Sequence, residues 1–260
     1  MNFIAGDLPL MSCVSLPDGA KPEQAAVFLH GYGANGRDLF DISTYLRRAF
    51  PNAALYFPDA PDSIGFGGYQ WFALDGYDPA ALARPERGEA YLKSLMPLAE
   101  NVRPTVERYL DAVRERTGVP AEKTALCGFS QGGLLAVLTA LKHREKLAAA
   151  VGLSAVAVTF DGTVLSPENI VSRPSVTLIH GDADDVVPPV VFERHADALR
   201  RAGVDVDAHV VADLTHGIDA TALQWLCDAL RRGFAGGEKT GGKGFFPRCF
   251  FTFFHSERYF

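Results

Sequence analysis

The sequence contains Gly128-Phe129-Ser130-Gln131-Gly132-Gly133, which matches the pattern G-x-S-x-G. A short apolar run at residues 124–127 precedes it, and residues 134–141 follow with the character of a helix. In this pattern a strand turns sharply into a helix, and small flanking residues let the two approach while a serine hydroxyl stands out at the turn. The stretch therefore predicts a nucleophile elbow at Ser130. Glycine-rich turns with one serine are common, so a catalytic role needs support from the rest of the chain.

Composition excludes several classes of protein. The 260-residue chain is 48% hydrophobic with a net charge of −6, so it can bury a large core and lacks the basic surface that nucleic acids require. No apolar run is long enough to span a bilayer, and the first residues lack the features of a secretory signal. The cysteines are scattered without a C-x-x-C pair: Cys13, Cys127, Cys227 and Cys249. We expect a cytoplasmic protein with no metal, no cofactor, no nucleic-acid partner and no stable membrane insertion.

Apolar strand-like runs alternate with amphipathic segments along most of the chain. Near-continuous apolar strands interleaved with helices are typical of a mostly parallel sheet with helices on both faces. The sequence thus predicts an α/β fold in a single domain over residues 1–233. Strands are predicted at residues 26–30, 53–57, 124–127, 148–153, 175–180 and 205–211, and helices at residues 38–49, 99–116, 134–141, 192–202 and 220–231.

Two regions depart from this alternation. Residues 62–97 are long and mixed in composition, which is typical of a lid or a substrate-binding loop. Residues 234–260 contain a glycine-rich linker followed by a segment dense in phenylalanine. We expect this tail to lie outside the fold as an extension without a role. Self-association or contact with a membrane surface is the alternative.

A serine nucleophile needs a base within hydrogen-bonding reach, and the base needs an orienting carboxylate. Asp182, Asp184 and Asp185 follow the predicted strand that ends at residue 180, and His216 follows the last predicted strand. The carboxyl ends of parallel strands meet at one edge of a sheet, which brings Ser130, one aspartate and His216 together. The residues alone leave the choice of aspartate open, since Asp182 is also suited to fixing the turn.

Other histidines allow other interpretations. His180, Asp182 and Asp184 include metal-binding residue types, but Gly181 indicates a turn that separates them. His143 and His195 lie on predicted helices beside charged residues, so we expect both to be solvated, and His209 lies inside a predicted strand. His216 alone occupies the position between the final strand and the closing helix, which is where a base is expected.

An oxyanion needs backbone donors, and two segments supply them. The amide after the nucleophile belongs to Gln131, and the glycine-rich loop after the first predicted strand contains Tyr32. His30, at the start of this loop, is expected to have a structural hydrogen-bonding role. The loop lacks the spacing of a phosphate-binding motif.

Four blocks together resemble the phospholipase/carboxylesterase family. They are residues 29–38, residues 57–61 with Trp71 and Phe72, residues 128–133, and residues 180–188 with residues 216–218. The resemblance covers about residues 27–230 and implies an α/β-hydrolase fold. It also implies Ser130 as nucleophile, Asp184 as orienting acid, His216 as base, Tyr32 and Gln131 as oxyanion amides, and Trp71 beside the acyl pocket. We add three further substrate-binding candidates close to Trp71: Phe66, Tyr69 and Phe72.

The resemblance implies a serine esterase, for which we expect short- to medium-chain carboxylic esters as substrates. Ala73 and Thr215 stand where many family members carry aspartate and glycine, which leaves the substrate open. A lysophospholipase or acyl-protein thioesterase is the alternative, with residues 65–72 and 75–96 as an acyl groove. A non-catalytic binding protein of the same fold is a further alternative. The expected partner is a small-molecule ester or an acyl lipid, and a homodimer is allowed.

Overall fold

The structure is a computed structural model that describes residues 2–160 and 162–236. Within these residues the strands are β1 (Asn2–Ala5), β2 (Ser12–Ser15), β3 (Gln24–Leu29), β4 (Ala53–Pro58), β5 (Asp62–Gly65), β6 (Gly68–Gln70), β7 (Thr124–Phe129), β8 (Ala149–Leu153), β9 (Ser175–Gly181) and β10 (Val206–Val211). The helices are α1 (Gly36–Phe40), α2 (Ser43–Ala49), α3 (Pro79–Leu82), α4 (Pro85–Thr117), α5 (Gln131–Lys142), α6 (Pro189–Arg201) and α7 (Ala220–Phe234).

A central sheet runs in the order β1-β2-β4-β3-β7-β8-β9-β10. From β4 to β10 all neighbouring strands are parallel, whereas β1 and β2 add to β4 as an antiparallel pair. The mostly parallel α/β fold is confirmed. The antiparallel pair was not predicted, because its strands are short and lack the long apolar runs of the central strands.

Helices cover both faces of the sheet, as predicted. One core cluster joins the sheet to α3, α4, α5 and α6, and the other joins it to α2 and α7. The inner strands β4, β7 and β8 bury almost every residue, since both faces are covered. Candidate functional residues therefore have to come from the strand ends and the loops that follow them.

The region at residues 62–97 contains more regular structure than its composition indicates. β5 and β6 form an antiparallel hairpin, and α4 begins at Pro85 rather than at residue 99 as predicted. Proline usually breaks a helix, so Pro97 concealed the first turns, yet here the helix continues through it. Buried Leu92, Leu95 and Met96 attach this part of α4 to the core. The predicted tail at residues 234–260 lies outside the described residues from residue 237 onward.

The fold buries several histidines, among them His30, His143 and His195. His195 and His143 were expected to be solvated, and that expectation was wrong, because their side chains pack at 2% and 4% exposure. The Nε2 atom of His195 accepts a hydrogen bond from the Val158 amide at 3.2 Å. His30 accepts from the Ala60 amide through Nε2 and donates through Nδ1 to the Gly31 carbonyl, which is the structural role expected for it.

Acid should destabilise the protein through His30 and His195. Burial lowers the pKa of His30 from 6.5 to about 4 and that of His195 to about 3. The unfolded chain therefore binds more protons below pH 6.5, so stability is complete above that pH and falls as the pH drops toward the folded-state values. We expect a loss of about 2 kcal/mol per histidine between pH 7 and pH 5. Urea unfolding at pH 7 and at pH 5 measures this loss. An equal free energy of unfolding at the two pH values would contradict the burial of His30 and His195 as neutral imidazoles.

Candidate active site

Ser130 occupies the turn between β7 and α5. Its backbone has φ 53° and ψ −117°, a region that residues other than glycine rarely adopt. The turn is held because the Ser130 amide donates to the Leu153 carbonyl at 2.9 Å and the Ser130 carbonyl accepts from the Val156 amide at 3.2 Å. Gly132 is required here, since a Cβ at this position would lie 2.3 Å from the Leu29 carbonyl oxygen. The local sequence thus builds the predicted elbow.

His216 and Asp184 form a buried hydrogen-bonded pair. The His216 Nδ1 atom lies 2.9 Å from Asp184 Oδ2, and both residues are less than 10% exposed. A carboxylate only accepts, so Nδ1 of His216 carries the proton and Nε2 keeps a free lone pair. The Phe129 ring, adjacent in sequence to Ser130, packs on the His216 ring with centroids 4.8 Å apart. The three predicted triad residues follow the ends of β7, β9 and β10, which lie on one half of the sheet.

The second oxygen of Asp184 fixes the carboxylate in place. Its Oδ1 atom accepts from the amides of Val186 and Val187 at 3.0 and 2.8 Å. The sequence analysis missed the role of His180, whose Nε2 lies 2.8 Å from the Val187 carbonyl and 3.4 Å from Asp184 Oδ2. Burial lowers the pKa of His180, while the nearby Asp184 partly opposes this shift. A neutral His180 thus supports the loop that carries Asp184.

Asp182 and Asp185 take no part in this pair. Asp182 Oδ1 accepts from the Asp213 amide at 2.7 Å, where Asp213 adopts φ 58° in the turn that leads to His216. Asp185 is exposed. Because Asp182 turns toward this loop, the side chains of His180, Asp182 and Asp184 do not converge on one point. Within residues 2–160 and 162–236, no cluster of residues is suited to hold a metal ion.

The glycine-rich loop after β3 lies against the elbow. A Cβ built on Gly31 would be 3.2 Å from Ser130 Cβ, so the backbone around Tyr32 borders the serine. The Gly33 amide donates to the Tyr69 carbonyl, and the Tyr69 amide donates to the Ala34 carbonyl, each at 2.9 Å. Gln131 is the first residue of α5, where amides have no acceptor within the helix. The loop that contains Tyr32 and the first turn of α5 therefore both border Ser130, and the role of the Tyr32 and Gln131 amides stays a prediction.

The side chain of Gln131 has a second function that the sequence analysis missed. Its Oε1 atom accepts from the Trp71 amide at 2.9 Å, and its Nε2 atom donates to the Phe72 carbonyl at 2.6 Å. Trp71 is 1% exposed and donates through Nε1 to the His30 carbonyl at 2.9 Å. These contacts join residues 71–72 to both the elbow and the glycine-rich loop.

We predict that Gln131→Ala lowers the free energy of unfolding by roughly 2–4 kcal/mol, because two buried backbone groups lose their partners. Denaturant unfolding measures the change. Gln70→Ala is the matched control, since Gln70 is a half-buried glutamine of β6, directly before Trp71 in the sequence. A loss below about 0.5 kcal/mol in Gln131→Ala would contradict a supporting role for the Gln131 side chain.

The four substrate-binding candidates occupy different environments. Trp71 and Phe72 are buried in the core cluster, whereas Tyr69 is half-buried next to the glycine-rich loop. Phe66 lies at the tip of the β5–β6 hairpin with its side chain fully exposed. Phe66 is thus accessible from solvent, whereas Trp71 and Phe72 are not. A substrate-binding role for each of the four residues stays a prediction.

Tyr77 is a further contact that sequence reasoning missed. Its hydroxyl donates to the Val186 carbonyl, in the loop that holds Asp184, and its ring packs on Tyr91 of α4 at 6.0 Å. Burial raises the pKa of the Tyr77 hydroxyl, with the Asp184 carboxylate adding to the shift. The segment between β6 and α3 is thereby attached to the Asp184 loop.

The family model for phospholipase/carboxylesterase proteins matches residues 12–232 of this chain. The chain belongs to the phospholipase/carboxylesterase family. As a member, it is a serine hydrolase of ester bonds with the α/β-hydrolase fold. No described helix is long and apolar enough to cross a bilayer.

Two esterases are similar to this chain, and a third protein of known structure shares its fold. An esterase of Escherichia coli K12, YpfH, is 30% identical over 224 residues, which span 84% of this chain and 86% of that protein. The crystal structure of esterase PE8 is 32% identical, with a TM-score of 0.73 over 84% of this chain and 96% of its own. Acyl-protein thioesterase 2 of Zea mays is 24% identical, with a TM-score of 0.61 over 86% and 98% of the two chains, and shares the fold.

Proposed function

We propose that this family member is a serine carboxylesterase for short- to medium-chain esters, with Ser130 as nucleophile, His216 as base and Asp184 as orienting acid. The observation that carries the proposal is the buried 2.9 Å hydrogen bond between His216 and Asp184 beside a serine held at φ 53°. A similar arrangement of serine, histidine and carboxylate performs acyl transfer on several unrelated folds. Two of the similar proteins are named as esterases, which also supports ester hydrolysis.

The first half of the reaction forms an acyl-enzyme. His216 Nε2 takes the proton of the Ser130 hydroxyl as Oγ attacks the ester carbonyl carbon, and the carbonyl electron pair moves onto its oxygen. The amides of Tyr32 and Gln131 donate to this oxyanion. When the oxyanion collapses, the bond to the alcohol oxygen breaks, and His216 gives its proton to the departing alkoxide.

Water completes the reaction. His216 removes a proton from a water molecule as the water oxygen attacks the acyl carbon, and a second oxyanion forms in the same place. Collapse breaks the bond to Ser130 Oγ, which regains the proton from His216, and the carboxylic acid leaves. Asp184 keeps Nδ1 of His216 protonated throughout, so Nε2 always faces the reacting oxygen atoms.

A fluorophosphonate probe tests the nucleophile directly. We expect one adduct per chain, located by peptide mass spectrometry on Ser130, and no labelling of Ser130→Ala. Labelling of a different serine alone would identify that serine, and not Ser130, as the nucleophile. An unlabelled native protein would favour the non-catalytic binding protein.

The range of acyl groups is tested by a series of p-nitrophenyl esters together with a palmitoyl thioester. We expect the largest kcat/KM for short- to medium-chain esters. A maximum at the palmitoyl thioester would instead assign the protein to the acyl-protein thioesterases, with residues 65–72 and 75–96 as the groove. Activity confined to lysophospholipids would assign it to the lysophospholipases.

The proposal includes a reducing cytoplasm as the site of action, because Cys13, Cys127 and Cys227 are free. A homodimer is compatible with the proposed function. Sedimentation of the full chain and of a chain ending at Gly233 tests the dimer and the contribution of the tail.

A further inference from the structure

A cavity of about 440 Å³ lies between α4, the segment that follows β8, and α6. This volume is within the usual range for small-molecule sites, roughly 300–1,000 Å³. Ser130, Asp184 and His216 do not line it. One lining segment starts at the elbow, since the Val156 amide that donates to Ser130 leads directly into residues 157–160.

The wall of the cavity is apolar while its rim is cationic. Leu92, Val158 and Phe160 supply apolar surface, and Lys93, Arg194 and Arg201 supply positive charge. The single carboxylate among the described lining residues is Glu89, which pairs with Lys93 at 2.6 Å. The lining therefore carries an excess of two positive charges, in contrast to the net charge of −6 on the whole chain.

The two arginines have little to bind within the described residues. Arg194 donates to the Ala83 carbonyl at 3.5 Å, and its charge helps Lys93 to lower the pKa of the Glu89 carboxyl. Neither Arg194 nor Arg201 forms a direct ion pair with another described residue. The next residue in sequence, Arg200, differs from them because it pairs with Asp197 at 3.5 Å and does not line the cavity. Guanidinium groups that lack a partner bind carboxylates or phosphates through two parallel hydrogen bonds.

Two polar side chains also line the cavity, those of His195 and Thr159. His195 is 2% exposed and its Nε2 accepts from the Val158 amide, so its proton is on Nδ1. Thr159 Oγ1 is buried without a hydrogen-bonding partner among the described residues. Buried polar groups are rarely left unpaired, so Thr159 favours a ligand that carries polar atoms.

We propose that this cavity is a second binding site for a small amphipathic organic anion. Its anionic head would pair with Arg194 and Arg201, and its apolar body would lie against Leu92 and Phe160. The site is separate from the hydrolytic centre and does not depend on the chemistry proposed there.

Calorimetric titration of the full chain with sodium octanoate tests the site, with octan-1-ol as the neutral comparison and octyl phosphate as the phosphate comparison. We expect octanoate to bind one site per chain and octan-1-ol to bind at least about tenfold more weakly, because charge-assisted hydrogen bonds are lost. Tighter binding of octyl phosphate than of octanoate would identify the anion as a phosphate, which also supports the site.

Variants locate the binding. Arg194→Ala and Arg201→Ala should each weaken octanoate binding about tenfold, whereas the control Arg200→Ala should leave it unchanged. Binding should persist in Ser130→Ala and in protein labelled by fluorophosphonate. The proposal is overturned if octanoate does not bind, if the variant lacking both Arg194 and Arg201 binds as the native protein does, or if blocking Ser130 abolishes binding.

Discussion

Replacing Ser130 by alanine should lower kcat/KM for p-nitrophenyl butyrate by about 10⁴-fold or more. In the proposed reaction the variant loses the oxygen that forms the acyl-enzyme, while the Tyr32 and Gln131 amides would remain and stabilise only the slow attack by water. Alanine also removes a polar atom without changing the glycines that shape the turn. The variant should therefore remain folded, which a thermal unfolding curve checks.

A matched serine makes this result specific. Ser94 is exposed on α4, and its hydroxyl bonds only to the Tyr91 carbonyl in the same helix, so Ser94→Ala should keep native activity. Near-native hydrolysis in Ser130→Ala would remove Ser130 as the nucleophile. Equal losses in both variants would point to a defect in the protein preparation or fold rather than to the chemistry.

Asp184→Asn should lower kcat by about 10⁴-fold, the second large effect. An amide at this position presents an N–H group to His216 or to the Val186 and Val187 amides, and either arrangement disturbs the imidazole. The His216 ring would then turn to the wrong tautomer, with its proton on Nε2 facing Ser130. KM should change much less than kcat, since Asp184 does not contact the ester in the proposed reaction.

Asp182→Asn provides the comparison for this variant. Its Oδ1 atom remains an acceptor for the Asp213 amide after the change, so the loop that carries His216 keeps its anchor. We expect activity within about threefold of the native protein and stability within about 0.5 kcal/mol. A larger loss in Asp182→Asn than in Asp184→Asn would transfer the orienting role to Asp182.

The sequence predicted the sheet and the triad candidates because both depend on local signals. Apolar runs mark the central strands, and Ser130, Asp184 and His216 each follow such a run in chain order. Their meeting is then a property of parallel strands and needs no side-chain detail. The sequence alone left three aspartates open, because the choice depends on which carboxylate faces His216, a contact between loops about thirty residues apart.

The failures have equally specific causes. His195 was expected in solvent because charged residues flank it, yet it shares the helical spacing of Phe192, Ala196 and Leu199, all of which are buried. That periodicity was the usable signal. The start of α4 was hidden by Pro97, and the pairing of β1 and β2 with β4 depends on partners distant in sequence. The second role of Gln131 depends on a segment sixty residues away, which no local pattern reveals.

The attachment of residues 62–82 has a consequence for how new selectivity arises in this fold. This segment is one continuous stretch between β4 and α4. The hydrogen bonds that hold it to the rest of the fold include those of Tyr69 to the glycine-rich loop, the Trp71 indole to His30, Gln131 to residues 71–72, and Tyr77 to Val186. If this segment is exchanged between relatives, we expect the substrate preference of its source to move with it. The residues on both sides of these hydrogen bonds have to be exchanged together. Substrate preference can therefore change through this one segment, both in natural evolution and in protein engineering, without substitution of the proposed catalytic residues.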